Sequence, residues 1–410
     1  MRALYTALLY LLAPFLLIVF ALRRGWRGRL GERLGLGARI DGGVDLWLHA
    51  ASVGEVQAAR PLVEAWLPRR RVLVTTFTPA GARHARALFG TRVVHRLLPL
   101  DLPDAVARFL ARAQPRRAVI VETELWPNLI HALAARGLPP ALVNARISER
   151  SFRRYARVPS LVRSCLQRCA LIAAQSPADA GRLNTLGAPP ERLHVTGNLK
   201  FELLPPPEQV SAGRALRTAA GPGRPVWIAA STHQGEEGYA LEAHRAVLRE
   251  FPEALLVLVP RHPQRFDAVQ RLLARSGLSW ARRGAGTATA TVVLGDTMGE
   301  LFLYYAAADV AFVGGSLVPV GGHNLLEPAA LGLPVLSGAH LANFAQAREL
   351  LIAAGGLEIV SADGLGEAVR ALLRDPARRQ RQGDAARAAV AAHRGALQRT
   401  LDLLALPPTA

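Results

Sequence analysis

Past residue 40, short apolar runs alternate along this chain with longer stretches in which apolar residues recur every three to four positions. The first pattern is that of a strand buried on both faces and the second that of an amphipathic helix. Their alternation predicts βα units and a parallel sheet. In the first half the runs are Leu46 to His49, Val72 to Thr76, Val93 to Leu97, Ala118 to Val121, Ala141 to Asn144 and Leu171 to Ala174. A break follows at Pro205-Pro206-Pro207, then a short helical piece, then Gly221-Pro222-Gly223-Arg224-Pro225. The pattern restarts with Val226 to Ala230, Ala254 to Val259, Thr291 to Leu294, Val310 to Val313 and Val335 to Leu336.

A chain of 410 residues exceeds the usual limit for one core. The two series therefore predict an α/β protein of two Rossmann-like domains facing a central cleft, where strand ends meet. That is GT-B architecture, which serves glycosyltransferases, epimerases and phosphorylases alike, so function has to be argued from sites. The expected boundaries are 1–30 for a membrane anchor and basic collar, 31–204 for the first domain, 205–225 for a linker, 226–385 for the second domain and 386–410 for a C-terminal helix.

The anchor is expected because Ala3 to Leu22 carries no charge and is long enough to cross the hydrocarbon core of a bilayer as a helix. Arg23, Arg24, Arg27 and Arg29 follow, against Arg2 on the other side, which places the body of the protein in the cytoplasm. A cleaved signal peptide is the rival, but no small-x-small cleavage site precedes the arginines. Pro14 leaves open a bent helix seated in one leaflet. The formal charge of +19 calls for an anionic partner. The arginines are scattered, with no aromatic-interleaved patch and no nucleic-acid-binding signature, so membrane phospholipid or a phosphorylated lipid is expected and nucleic acid is not. Cys165 and Cys169 offer no disulfide framework and read as small core residues.

Candidate chemistry gathers at strand-to-helix transitions. In Phe312 to Gly338 a buried strand leads through Gly314-Gly315 and Gly321-Gly322 into a helix that is expected to open at His323-Asn324 and stop at Gly332. Such a unit presents N–H groups to anionic ligands, and the paired glycines permit close approach of a nucleotide sugar. Asn324 and Glu327 equally fit a capping box, with Leu325 and Leu326 between them. Ser52-Val53-Gly54-Glu55 poses the same choice, between a cap and a general base for an acceptor hydroxyl. Of Glu122 and Glu124, at the end of another strand, only one is expected to face the cleft. Lys200 is the only lysine among fifty basic residues, which argues for a compact ammonium at that place. Arg261-His262 closes a strand and suits bidentate phosphate contact. Ser231-Thr232-His233 and Met298-Gly299-Glu300 fall at similar transitions. No D-x-D pair and no histidine cluster with metal spacing occurs, so neither a metal nor a cofactor is expected.

The anchor, SVGE at Ser52 to Glu55, ETELWPN at Glu122 to Asn128, NARIS at Asn144 to Ser148, GNLKF at Gly197 to Phe201, PRHP at Pro260 to Pro263 and GGHNLLEP at Gly321 to Pro328, taken in order, closely resemble the 3-deoxy-D-manno-octulosonic acid (Kdo) transferase family of lipopolysaccharide biosynthesis. The resemblance runs to about Ala345. It implies a GT-B glycosyltransferase on the cytoplasmic face of the bacterial inner membrane that moves Kdo from CMP-Kdo to the lipid A precursor lipid IVA. It also implies that Glu55 is the general base and that Glu122 and Lys200 stabilise the transition state. CMP would be bound by Arg261, His262, Met298, Gly299, Glu300, Asn324, Leu325, Leu326 and Glu327. Two rivals stay open at this point: a nucleotide-sugar epimerase, which needs no lipid, and a non-catalytic protein that binds anionic lipid or nucleic acid.

Overall fold

The computed structural model describes residues 1–22, 26, 29–283 and 289–404. Arg23, Arg24 and Arg27 of the expected basic collar lie outside the described residues. The chain divides into two compact units, Met1–Glu202 with Arg394–Ala410, and Leu203–His393.

The first unit is built on seven parallel strands: β1 (Leu46–His49), β2 (Val72–Thr76), β3 (Val94–Leu97), β4 (Ala118–Val121), β5 (Ala141–Ala145), β6 (Leu171–Ala174) and β7 (Leu193–Val195), in the spatial order β3-β2-β1-β4-β5-β6-β7. The central strands β1, β2, β4, β5 and β6 are buried along their whole length, as their unbroken apolar runs require. Leu46, Leu48, Val56, Leu62, Val74, Val121 and Val143 form part of one core layer. Trp47, Leu73, Phe109, Leu129 and Leu133 belong to the layer on the other face.

The helix Arg2–Leu22 contains Pro14 and is long and apolar enough to cross a membrane by length and composition. One face docks on the first unit, where Ala13 and Phe20 are buried with Leu100, Leu102 and Ala105. Leu4, Leu8, Leu11, Phe15, Ile18 and Leu22 are exposed. Their spacing of three and four places them along one helical stripe.

The second unit repeats the plan with β8 (Val226–Thr232), β9 (Leu255–Pro260), β10 (Trp280–Arg282), β11 (Val292–Leu294), β12 (Val310–Val313), β13 (Val335–Ser337) and β14 (Leu357–Ile359), all parallel, in the order β10-β11-β9-β8-β12-β13-β14. Trp227, Leu256, Leu258, Phe312, Leu336, Leu365 and Leu372 fill part of one face of its sheet. Ile228, Val257, Val259, Tyr304 and Tyr305 fill part of the other.

Three expectations are corrected. The segment 205–225, expected as a linker holding a short helical piece, belongs to the second unit, and its helix runs over the 14 residues Pro207–Ala220. It packs on the helix Leu301–Ala307 so closely that a Cβ at Gly213 would fall 2.4 Å from the Leu303 carbonyl oxygen. The C-terminal helix expected at 386–410 is divided between the units. The helix Pro376–Ala392 belongs to the second, while Ala396–Leu404 lays Leu397, Leu401 and Leu404 against the core of the first. The helix expected from His323 is also shorter, Leu326–Ala330. The glycines ahead of it take φ of 103° and 80°, and the chain turns there before it can coil.

Candidate active site

In each sheet the strand order reverses beside the first strand, between β1 and β4 in one unit and between β8 and β12 in the other. Ligands of open α/β sheets bind outside the strand ends at such a point. Both candidate sites lie there.

In the first unit the chain leaves β1 and enters the helix Val53–Trp66 through Ser52, whose Oγ accepts from the Glu55 N–H. The Glu55 side chain folds back, one carboxylate oxygen accepting from Ala51 N–H at 2.7 Å and the other from the Ser52 hydroxyl at 2.8 Å. The cap is therefore real, and it leaves other lone-pair positions of the carboxylate open to a further partner. Glu55 is only 7% exposed. Burial raises its pKa above the ordinary range, the Ala51 N–H pulls the other way, Glu122 adds to the rise, and Ser52 and Lys200 oppose it.

β4 ends at Val121, and Glu122 takes φ 60°, a left-handed conformation unusual for a side-chain-bearing residue. Its carboxylate pairs with the Lys200 ammonium at 3.3 Å. Lys200 stands in the turn Leu199–Phe201, fixed by Asn198 Oδ1 accepting from the Lys200 N–H and Asn144 Oδ1 accepting from the Leu199 N–H. Asn144, the first residue of NARIS, is itself left-handed with φ 54°. Glu124 lies two residues past Glu122 and is partly buried. Glu124 is pushed up to about 7 by burial and then by the charges of Glu55 and Glu122, with the Trp126 side chain opposing. Three carboxylates thus influence one another around the single lysine.

In the second unit the pairing of β8 with β9 shifts register at Ser231, which has φ 55°. Glu236, four residues past β8, is fully buried. One of its carboxylate oxygens accepts from the N–H groups of His233 at 2.9 Å and Gly315 at 2.6 Å, the other from Ser316 at 3.0 Å and Leu317 at 2.9 Å. Gly314 is required here because a Cβ would sit 2.9 Å from that carboxylate. The first glycine pair therefore closes on the protein's own glutamate, where the sequence suggested approach to a ligand.

Around this loop the His233 and His323 rings stack at 5.0 Å with their Nε2 atoms 2.8 Å apart, and His262 meets His233 edge-on at 5.2 Å. Burial and then the Arg261 charge lower His323 to about 3. Burial first, then neighbouring cationic groups, lower His233 and His262 as well. Glu327 is pushed up to about 7 by burial, against the Asn324 amide donating to it at 3.1 Å and the Arg261 charge. Asn324 Oδ1 accepts from the Leu326 N–H, so half of the capping box forms. Imidazoles held neutral and a carboxyl whose ionisation burial disfavours, beside the Arg261 guanidinium, make an environment suited to an anion.

Arg261, His262, Asn324 and Glu327 are thus brought together, with the buried Leu325 and Leu326 carrying the backbone between the last two. Met298, Gly299 and Glu300 follow β11, the neighbour of β9, on the same edge of the sheet. Glu300 pairs with Arg283 at 2.9 Å, and the Gly299 carbonyl accepts from Gln209. Among the described residues no hydrogen bond joins this segment to Arg261 or the histidines. Glu236 was not singled out from the sequence, and Glu124 and His323 were named there without a role of their own. Among the described residues no cluster of three or more histidine, cysteine or acidic side chains is arranged to hold a metal ion.

The family model described as 3-deoxy-D-manno-octulosonic-acid transferase (kdotransferase) matches residues 28–203. Over 98% of both chains the sequence is 44% identical to a 3-deoxy-D-manno-octulosonic acid transferase of Haemophilus influenzae. It is 42% identical to the protein so named from Bordetella pertussis, again over 98% of each. Among solved structures, the UDP-GlcNAc 2-epimerase of Neisseria meningitidis aligns over 88% of this chain and 99% of its own with a TM-score of 0.57. At 14% identity that likeness speaks to the fold alone.

Proposed function

The chain belongs to the 3-deoxy-D-manno-octulosonic acid (Kdo) transferase family and is a glycosyltransferase, and from that premise we propose that it moves Kdo from CMP-Kdo to lipid IVA with Glu55 as general base. The observation that carries this reading is the state of Glu55. It is held by two hydrogen bonds, desolvated, and raised in basicity at the switch point of the sheet. Family membership removes the main support for the epimerase reading.

In the proposed reaction the acceptor hydroxyl gives its proton to Glu55 as its oxygen bonds to the anomeric carbon of Kdo. The bond from that carbon to the CMP phosphate oxygen breaks, and CMP leaves with the electron pair. Lys200, paired with Glu122, keeps a positive charge beside the acids and favours the ionised form of Glu55. Arg261, the His262 N–H and the one N–H that the His233–His323 pair does not spend between its own rings supply donors for the phosphate as charge develops on it. Asn324 through Glu327, with Met298 to Glu300, complete the CMP contacts in this reading. The exposed stripe from Leu4 to Leu22 suits the apolar phase of a bilayer, the expected location being the cytoplasmic face of the inner membrane.

Mass spectrometry of lipid IVA after incubation with the full chain and CMP-Kdo tests the assignment, with Glu55→Ala as control. Added Kdo mass that disappears in the control is the expected result, and the number of increments counts the sugars added. No added mass with membrane-reconstituted protein would sink it.

A further inference from the structure

A helix that only tethers a protein to a membrane needs no specific polar contact with the domain it carries. The helix Arg2–Leu22 makes several. The Tyr5 hydroxyl donates to Asp101 Oδ2 at 3.0 Å, and the Thr6 hydroxyl donates to Asn128 Oδ1 at 3.0 Å. Asp101 is buried, and its carboxylate also accepts from the N–H groups of Asn128 and Leu129 at 2.9 and 2.7 Å. Trp126, at the N-cap position of the helix Pro127–Ala134, offers no side-chain cap, so Asp101 satisfies those N–H groups from a distant part of the chain. The Asn128 amide in turn donates to the Asp101 carbonyl at 2.7 Å.

At its other end the same helix enters a second set of contacts. Phe20 stacks on Trp26 at 4.4 Å, Trp26 meets Phe77 edge-on at 6.2 Å, and Phe77 stacks on Trp126 at 5.3 Å. The fully buried Arg33 guanidinium lies 5.5, 4.6 and 4.4 Å from the Phe20, Trp26 and Phe77 rings and donates to the Leu98 and Phe77 carbonyls. Trp126 and Asn128 are two residues apart, and both belong to the segment that carries Glu122 and Glu124. The two ends of the helix therefore reach the same short stretch of chain by independent routes, one polar and one aromatic.

We propose that the N-terminal helix is a positioning element of the acidic site, holding the Glu122–Asn128 segment in its working geometry through Tyr5 and Thr6 on one side and Phe20 on the other. The inference deepens the proposed function and rests on its reading that this segment carries chemistry. In this inference Tyr5, Thr6 and Phe20 are positioning residues, acting through Asp101, Asn128 and Trp26. The left-handed backbone at Glu122 makes such support meaningful, because a strained residue persists only where its surroundings over-determine it.

The test uses full-length protein assayed for Kdo transfer in detergent micelles, where a tether has nothing to contribute, with binding to vesicles of phosphatidylethanolamine and phosphatidylglycerol measured separately. The double variant Tyr5→Phe, Thr6→Val is expected to lower kcat about tenfold with KM for CMP-Kdo unchanged, since misplaced reacting groups cost rate and not donor binding. Thr6→Ser, which keeps the hydroxyl, restores the rate that Thr6→Val loses. Leu11→Gln, on the exposed stripe, weakens vesicle binding and leaves kcat in micelles intact. Wild-type kcat in micelles for the double variant would overturn the inference. Should that variant not fold, the single pair Thr6→Val and Thr6→Ser decides, and equal kcat for the two overturns it. Absence of transfer by the unaltered chain would instead overturn the proposed function itself.

Discussion

Glu55 and Glu236 occupy corresponding places in two sheets of the same plan, each near the start of the helix that follows the first strand, and they are put to opposite uses. Glu236 accepts four backbone N–H groups and is sealed from water. Glu55 accepts two hydrogen bonds, stands among other acids, and carries a raised pKa. Burial alone does not tell a chemical carboxylate from a structural one. The number of partners already committed does, because a carboxylate with its lone pairs occupied has nothing left to offer a substrate.

The contrast breaks most visibly at Glu55→Gln. Transfer is expected to fall about a thousandfold in kcat, the scale of a lost general base, while thermal melting holds or improves because a buried charge is gone. A stability loss without a rate loss would mean that Glu55 is a cap and nothing more. Glu236→Ala is expected to do the reverse. Orphaning four buried N–H groups, at about 1 kcal/mol or more each, costs about 4 kcal/mol or more, read as a lowered denaturant midpoint. An unchanged midpoint would undo the comparison.

Arg261→Ala sharpens it from the ligand side. CMP affinity, followed by calorimetry, is expected to weaken about thirtyfold for loss of a charge-assisted phosphate contact. The smallest effect is on pH dependence. Lys200 lowers the Glu55 pKa, so Lys200→Met raises it further, and the acidic limb of the kcat profile moves to higher pH. A limb that stays in place would show that Lys200 and Glu55 do not communicate.

Legibility in the sequence followed burial. Runs buried on both faces, such as Leu46 to His49 and Val310 to Val313, declared themselves as strands. β7, β10 and β14 did not. Each is a three-residue edge strand that is partly exposed, so no apolar run marks it. The helix Pro207–Ala220 was legible as a short helical piece, but the prolines and glycines that bound it made it read as part of a linker when it belongs to the second unit. At the sites, positions fixed by local turns were readable: Glu55, Arg261-His262 and Asn324. Glu236 was lost because its partners are three residues some eighty positions away along with one nearby, and a pattern in one stretch of chain carries no trace of such a meeting.

The helix Ala396–Leu404 lies on the core of the first unit, and the whole second unit stands between it and the rest of that unit in the chain. On the ribosome, the first unit therefore emerges early and waits. Its apolar surface under Leu397, Leu401 and Leu404 stays uncovered until some two hundred more residues have been made, and meanwhile the second unit is free to fold as a self-contained insert. A premature stop at Ala392 would thus release a finished second unit joined to a first unit with an open seam, a ready substrate for chaperones and proteases.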